Sequence, residues 1–270
     1  MDNGLHNGLY TNINDGIRNG INTGINNGLF NGIYDTVNKG YIQKDLILYL
    51  DVIRKESFDV NYSQVLWQSI DVNRYNYTAN GVTSQDSFGG LLYGGGVQQQ
   101  STNIKNGIIK NDFTLQFAFK PNTVSSNGVA YFFDFQNTYT VSRAGFYLGL
   151  VNTVGLPNTI FISYGNDFAY QYSANNAVIT NGSNIYIITI TVKDGYSRIF
   201  VNGQLSMGTT SLNNVVSNIS WNGTNSNIGY ARNATSTVQM YFYNFLMYNR
   251  CLSQKEITQN YLYNKSRFGL

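Results

Sequence analysis

The sequence predicts an all-β chain: an antiparallel β-sandwich with a short C-terminal helix, preceded by a repetitive N-terminal arm. Three observations carry that expectation. About twelve short apolar or alternating segments follow residue 44, separated by Asn/Gly/Ser turn signals every 8–12 residues with no helix among them. The last segment, VQMYFYNFLMYNR (238–250), is apolar on both faces and runs into a helix start signal. The N-terminal stretch obeys a different rule, a four-residue repeat. The boundaries drawn are 1–43 for the arm and 44–270 for the sandwich.

Composition agrees. At 270 residues the chain can hold one sizeable β-domain with an appendage. Charged residues are 11% against a usual share of roughly 25%, while 42% are hydrophobic and 15% aromatic. That favours a turn-rich β-protein with a neutral polar surface, too apolar to be disordered throughout. Net charge is +3 and no Lys/Arg run exceeds a pair, so the clustered basic face that nucleic acid requires is missing. The single cysteine, Cys251, precludes an intrachain disulfide and reads as a small buried residue at the strand–helix turn. The start has neither the basic residues nor the apolar run of a secretory signal, and no stretch approaches a membrane span. A soluble protein made in a cytoplasm is expected.

Residues 3–41 repeat as NGLH, NGLY, TNIN, DGIR, NGIN, TGIN, NGLF, NGIY, DTVN, KGYI, with apolar residues at every fourth position from Leu5 to Tyr41. In an α-helix a four-residue step turns the apolar line by about 40° per repeat, whereas in an extended chain it keeps one face. Both conformations remain open. Each Gly costs a helix about 1 kcal/mol relative to Ala, but allows backbones to approach closely. Such a segment cannot bury its apolar line alone. It is expected to be an assembly arm, pairing with copies of itself or with another structural protein. A mere spacer would not need ten apolar positions in register.

The sandwich strands follow in order. DLILYLD (45–51) opens, then VLWQSID (65–71), NYTANGV (76–82) and a Gly-rich strand GGLLYGGGVQQ (89–99). FTLQFAFK (113–120) puts Phe113, Leu115, Phe117 and Phe119 on one face, with Pro121 as its end. VAYFFDF (129–135), GFYLGLV (145–151) and TIFISYG (159–165) come next. NIYIITITVKDG (184–195) pairs with YSRIFVNGQL (196–205): Asp194-Gly195 fits a tight hairpin turn and Asn202-Gly203 begins another. SNIGYA (226–231) leads to the final strand, where Met240, Phe242, Leu246 and Tyr248 alternate with Tyr241, Tyr243, Phe245 and Met247. A strand apolar on both faces must be covered on both. Ser253 and Glu256 form a capping box, Leu252 staples onto Ile257, and Ile257, Tyr261 and Leu262 make a short stripe that Gly269 ends.

The run YNRCLSQKEITQNY resembles the closing segment of concanavalin A-like, laminin-G-like jelly-roll domains, and RIFVNGQL resembles their central hairpin. The ending NKSRFGL and the opening DLILYLD resemble versions in structural proteins of tailed phages and large DNA viruses. The resemblance covers roughly residues 45–270. It implies a concanavalin A-like antiparallel β-sandwich in a virion structural or decoration protein. Its partners would be other virion proteins or itself through the arm, and the alternative is an adhesin for host-surface glycans.

Some relatives of that fold cleave polysaccharides with clustered carboxylates, and acid–base cleavage needs two of them some 5–10 Å apart. This chain has two glutamates, Glu56 in a loop and Glu256 in the capping box, and Asp134, Asp167 and Asp194 lie on separate segments. The only histidine is His6, in the repeat. No catalytic residues and no enzyme are expected. Legume-type lectins use a histidine-containing metal cluster, which is lacking. Laminin-G-like relatives often hold one calcium through loop oxygens, and Asp167 beside Asn166 has the donor types for it, although no metal site is assigned. The glycan-binding candidates are Trp221, in the turn-rich SNISWNGTNSN, then Tyr170 and Tyr172 with Asn166 and Asp167 beside them. Trp67 reads as a packing residue.

Overall fold

The computed structural model describes residues 40–54, 57–59, 66–70, 76–80, 85–93, 98–101, 112–123, 128–136, 145–164, 170–173, 177–178, 184–194, 196–211, 226–228 and 239–270. In chain order the strands are β1 (Leu46–Asp51), β2 (Phe58–Asp59), β3 (Leu66–Gln68), β4 (Asn76–Asn80), β5 (Leu91–Tyr93), β6 (Gln98–Ser101), β7 (Phe113–Thr123) and β8 (Gly128–Gln136). Then come β9 (Gly145–Thr153), β10 (Leu156–Tyr164), β11 (Tyr170–Tyr172), β12 (Tyr186–Lys193), β13 (Tyr196–Val201), β14 (Gln204–Ser211), β15 (Ser226–Ile228) and β16 (Gln239–Tyr248). The helix α1 (Gln254–Phe268) closes the chain.

The strands form two antiparallel sheets. Sheet one runs β1-β16-β7-β12-β13-β14, with β5 alongside the other end of β16; sheet two runs β11-β10-β9-β8-β15-β6-β4-β3-β2. Phe113, Leu115, Phe117 and Phe119 face inward and are fully buried, as their alternation predicts. Phe117 meets Phe132 and Phe133 of sheet two edge-on at 5.1 and 5.3 Å, and Phe133 stacks on Phe245 of β16 at 3.9 Å. Each such buried side chain contributes about 1.5–3 kcal/mol, which makes this aromatic seam the principal bond between the sheets. The two-sheet antiparallel sandwich expected from sequence is the fold observed.

Five details depart from expectation. The segment 89–99 is two strands, not one: β5 pairs with β16 in sheet one, while β6 pairs with β4 and β15 in sheet two. Residues 94–97 between them fall outside the described residues. Pro121 does not end β7, which continues to Thr123. Pairing with β12 stops at Phe119, so among the described residues Pro121 has a strand neighbour only on the β16 side, the edge position that a strand proline tolerates.

The alternation along β16 switches midway. Its register slips between Phe242 and Asn244, so Met240, Phe242, Phe245 and Met247 join the main core while Leu246 and Tyr248 face outward. Asn244 repairs the bulge, since its Oδ1 accepts the Ala118 amide at 3.0 Å. The helix stripe also differs. Its buried line is Ile257, Asn260, Asn264 and Phe268, with Tyr261 and Leu262 half-buried at its flank. Two asparagines belong to that line because α1 lies over polar groups of β16. The strands number sixteen among the described residues, more than the twelve expected, because several have only two or three residues.

The helix ends are as predicted. Ser253 is the N-cap with both capping-box bonds to Glu256, and Gly269 adopts the left-handed conformation at φ 65°. Leu252 and Ile257 share one apolar cluster. The Asn202-Gly203 turn has both residues at positive φ, 52° and 77°. A Cβ at Gly203 would come within 2.9 Å of Tyr261, so the glycine is required by packing as well as conformation.

Candidate functional site

The outer face of sheet one divides into a roofed half and an open half. Helix α1 and the turn before it roof β1, β16 and the Phe200 end of β13, where Leu252 and Ile257 share one cluster with Leu246, Tyr248, Tyr49 and Phe200; the turn end of β12 and β13, at Lys193 and Tyr196, stays open. Beneath it lies a connected polar network. The Arg267 guanidinium grips Asp51 with two bonds, 2.8 and 2.9 Å, and Asp51 is wholly buried. Tyr49 donates to the same carboxylate at 2.8 Å. Tyr41, at the root of the 1–43 segment, is buried in this network. Its hydroxyl donates to Asn264 and accepts from Asn244 at 2.7 Å and Arg267 at 2.8 Å. Asn260 accepts the Ile42 amide at 2.9 Å and donates to Tyr248 at 3.0 Å. Burial raises the pKa of the Tyr41, Tyr49 and Tyr248 hydroxyls, so they stay protonated donors. Every member has partners, which leaves nothing for a ligand.

A second closed cluster sits at the other end of β16. Asp86 takes the Lys120 ammonium, the Tyr243 hydroxyl at 2.7 Å and the Gly90 amide at 2.9 Å. Burial would raise the Asp86 carboxyl, but these bonds outweigh it and hold its pKa below the ordinary value. Lys120 also lies 4.7 Å from the Tyr241 ring. A Cβ at Gly90 would stand 2.5 Å from Tyr243, so glycine is what lets the tyrosine in.

The open half carries a cleft of about 400 Å³ lined by Thr191, Lys193, Asp194, Tyr196, Arg198 and Cys251. The hairpin register builds it: Lys193 stands opposite Tyr196 and Thr191 opposite Arg198, all on one face. Asp194 turns the chain at φ 49°, and its amide is held by Asp112 at 3.1 Å. Thr191 is buried and forms the floor, Cys251 is half-buried, and Lys193, Asp194, Tyr196 and Arg198 are exposed. Tyr196 presents a 48% exposed ring. Cys251 is therefore less enclosed than its sequence context implies; burial still raises its thiol pKa, against a hydrogen bond from Thr191.

Of the candidates named from sequence, only Tyr170 and Tyr172 lie among the described residues. Trp221, Asn166 and Asp167 lie outside the described residues, as do His6, Glu56 and the repeat through residue 39. Tyr170 and Tyr172 are on β11, the edge strand of sheet two, though their side chains are not described. Trp67 is on β3, likewise described only in its backbone. Successive antiparallel pairings place the start of β11 and Ser226, the start of β15, at one end of sheet two. They are four strand spacings apart, roughly 19 Å. Tyr196, Lys193 and Arg198 were not singled out from sequence. The signal was present in the Asp194-Gly195 turn, which fixes their pairing.

Among the described residues no group of three or more His, Cys, Asp or Glu gathers as a metal site. No helix among them is long and apolar enough to cross a membrane.

A family model described as the concanavalin A-like lectin/glucanases superfamily matches residues 94–258. Solved structures similar to this chain include the binding domain of botulinum neurotoxin DC in complex with rat synaptotagmin II, at 17% identity and TM-score 0.59, covering 82% of this chain and 51% of that one. Another is the ligand-binding domain of botulinum neurotoxin serotype D in complex with N-acetylneuraminic acid, at 13% identity and TM-score 0.60, covering 80% and 50%. The chain thus spans about half the length of these structures. No curated protein matches it in sequence.

Proposed function

This chain belongs to the concanavalin A-like lectin/glucanases superfamily, and from that membership we propose that it is a non-enzymatic, glycan-binding display module. The observation that carries the reading is the open cleft, with an exposed Tyr196 ring beside Lys193, Asp194 and Arg198. A sugar ring lies on an aromatic face while donors around it take the hydroxyls. Among its described lining residues the cleft has one carboxylate, Asp194, whereas acid–base cleavage of a glycosidic bond takes two. Solved structures of similar fold include a domain bound to N-acetylneuraminic acid, which is consistent with this use of the fold.

The test is a glycan array probed with the full-length chain, with Tyr196→Ala and Trp221→Ala beside it. Saturable binding lost in Tyr196→Ala and kept in Trp221→Ala is the expected result. Loss in Trp221→Ala alone would move the site away from the cleft to the segment that holds Trp221, and binding to no glycan would overturn the reading.

The finer proposal is that the module decorates a virus particle, held there by residues 1–43. Its support is the repeat itself, together with Tyr41, the last apolar residue of the register, whose hydroxyl is held under α1. Replacing Ile17, Ile21 and Ile25 by Ser in the full-length chain should abolish its self-association in sedimentation. Association that survives unchanged would refute the arm's role.

A further inference from the structure

We infer that the cleft selects acidic saccharides, a carboxylate or sulfate sitting between Lys193 and Arg198 with a sugar ring laid on Tyr196. The inference deepens the glycan-binding reading above and rests on it. Position and ion pairing together single out these two cations. Lys120, Arg250 and Arg267 each sit within 4.0 Å of a carboxylate. Lys193 and Arg198 are, like Lys44, Arg54, Lys255 and Lys265, described cations in no such pair with a described carboxylate, and they are the two that line the cleft. Their spacing follows from the hairpin. Lys193 faces Tyr196, and Arg198 is two residues further along the same face, so the two are diagonal neighbours. Diagonal Cβ atoms stand roughly 7–8 Å apart, which allows two long side chains to converge on one anion.

The chemistry favours an anion over a neutral hydroxyl. An Arg fork gives a carboxylate or sulfate two parallel bonds, and Lys adds a point charge. Asp194 is the single carboxylate among the described lining residues and stands at the turn end. Asp112, beyond it, receives the Asp194 amide. Tyr196, directly across from Lys193, supplies the apolar face for the ring that bears the acid.

The experiment uses the full-length chain on an array of sialylated, sulfated and matched neutral glycans. The best acidic glycan is then titrated alongside its neutral counterpart. The acidic member is expected to bind about tenfold tighter or better, the discrimination that one charged hydrogen-bonded pair gives. That advantage should vanish in Lys193→Gln/Arg198→Gln and shrink as NaCl rises from about 0.05 to 0.5 M. Thermal melting of the variant checks that it folds. Equal binding of neutral and acidic glycans, or an acid preference untouched by the double substitution, would overturn the inference while leaving glycan binding intact. Silence across the whole array would overturn both.

Discussion

Adjoining halves of one sheet face treat charge in opposite ways. Under α1, Asp51 is wholly buried and pairs with Arg267, and the hydroxyls and amides around them are knitted together. On β12 and β13, Lys193 and Arg198 stand exposed beside a cleft and pair with no described carboxylate. The difference lies in desolvation. A charge taken out of water must be paired, or its burial costs several kcal/mol, while an exposed one can be left for a ligand at no cost to folding. Burial thus separates the charges that hold the fold from those available for binding.

The largest expected effect breaks the roofed half. Arg267→Ala leaves Asp51 buried with Tyr49 and the Ile53 amide as the remaining described hydrogen-bond partners of its carboxylate. It should destabilise the protein by about 3–5 kcal/mol, read from urea unfolding with an unchanged m-value. A loss below about 1 kcal/mol would mean that water reaches Asp51 and the two halves are not so different.

Next in size is Tyr41→Phe. The ring contacts with Tyr49 at 5.2 Å and Tyr263 at 4.6 Å survive, but Asn264, Asn244 and Arg267 each lose a partner. The expected cost is about 1–3 kcal/mol. An effect of that size would place the root of the arm within the cooperative unit of the domain; no effect would cut the arm loose from it.

How much of this contrast could be read in the sequence depends on the range of the interactions. Local rules located the strands, the Asp194 and Asn202 turns, and both caps of α1, since each rests on residues a few positions apart. The parity switch in β16 was hidden, because a one-residue bulge is set by its neighbour β7 and leaves no local mark. The asparagines at 260 and 264 look like surface residues until Tyr41, more than two hundred positions away, is placed beneath them. The division of GGLLYGGGVQQ between two sheets is likewise a long-range fact. The cleft was half legible. Its cross-strand pairs follow from the hairpin turn, but that α1 stops short of them depends on how the helix docks. From sequence alone, exposure is easiest to infer for aromatics in turn-rich segments, which points to Trp221, Tyr170 and Tyr172 rather than to Tyr196.

A smaller effect sharpens the boundary between the halves, where α1 begins. Ser253→Ala removes the cap and should cost about 0.5–2 kcal/mol. Arg250 grips Glu256 through two bonds, 2.9 and 2.7 Å, and with the Ser253 bonds this holds the Glu256 carboxyl at about 2, against an ordinary value near 4.5. A depressed carboxylate contributes stability that is fully present above its unfolded value and lost as pH falls through its folded one. The urea midpoint should therefore decline between about pH 4.5 and 2, and Glu256→Gln should flatten that part of the profile. A decline unchanged in the variant would assign it to other carboxylates.

The smallest expected effect is the most informative about the open half. Lys193→Gln and Arg198→Gln remove exposed charges that no described carboxylate neutralises, so each should shift stability by no more than about 0.5 kcal/mol. Calorimetric melting of the two variants against the parent measures this directly. A larger loss would mean that these cations support the hairpin, in the way Arg267 supports the roof, and that the cleft is simply a gap beside α1. Near-neutrality would leave two cations and an exposed tyrosine on β12 and β13 with no structural task, the condition a ligand-binding surface must meet. The same pair of substitutions then separates the roles, since stability reports only on folding and glycan titration only on recognition.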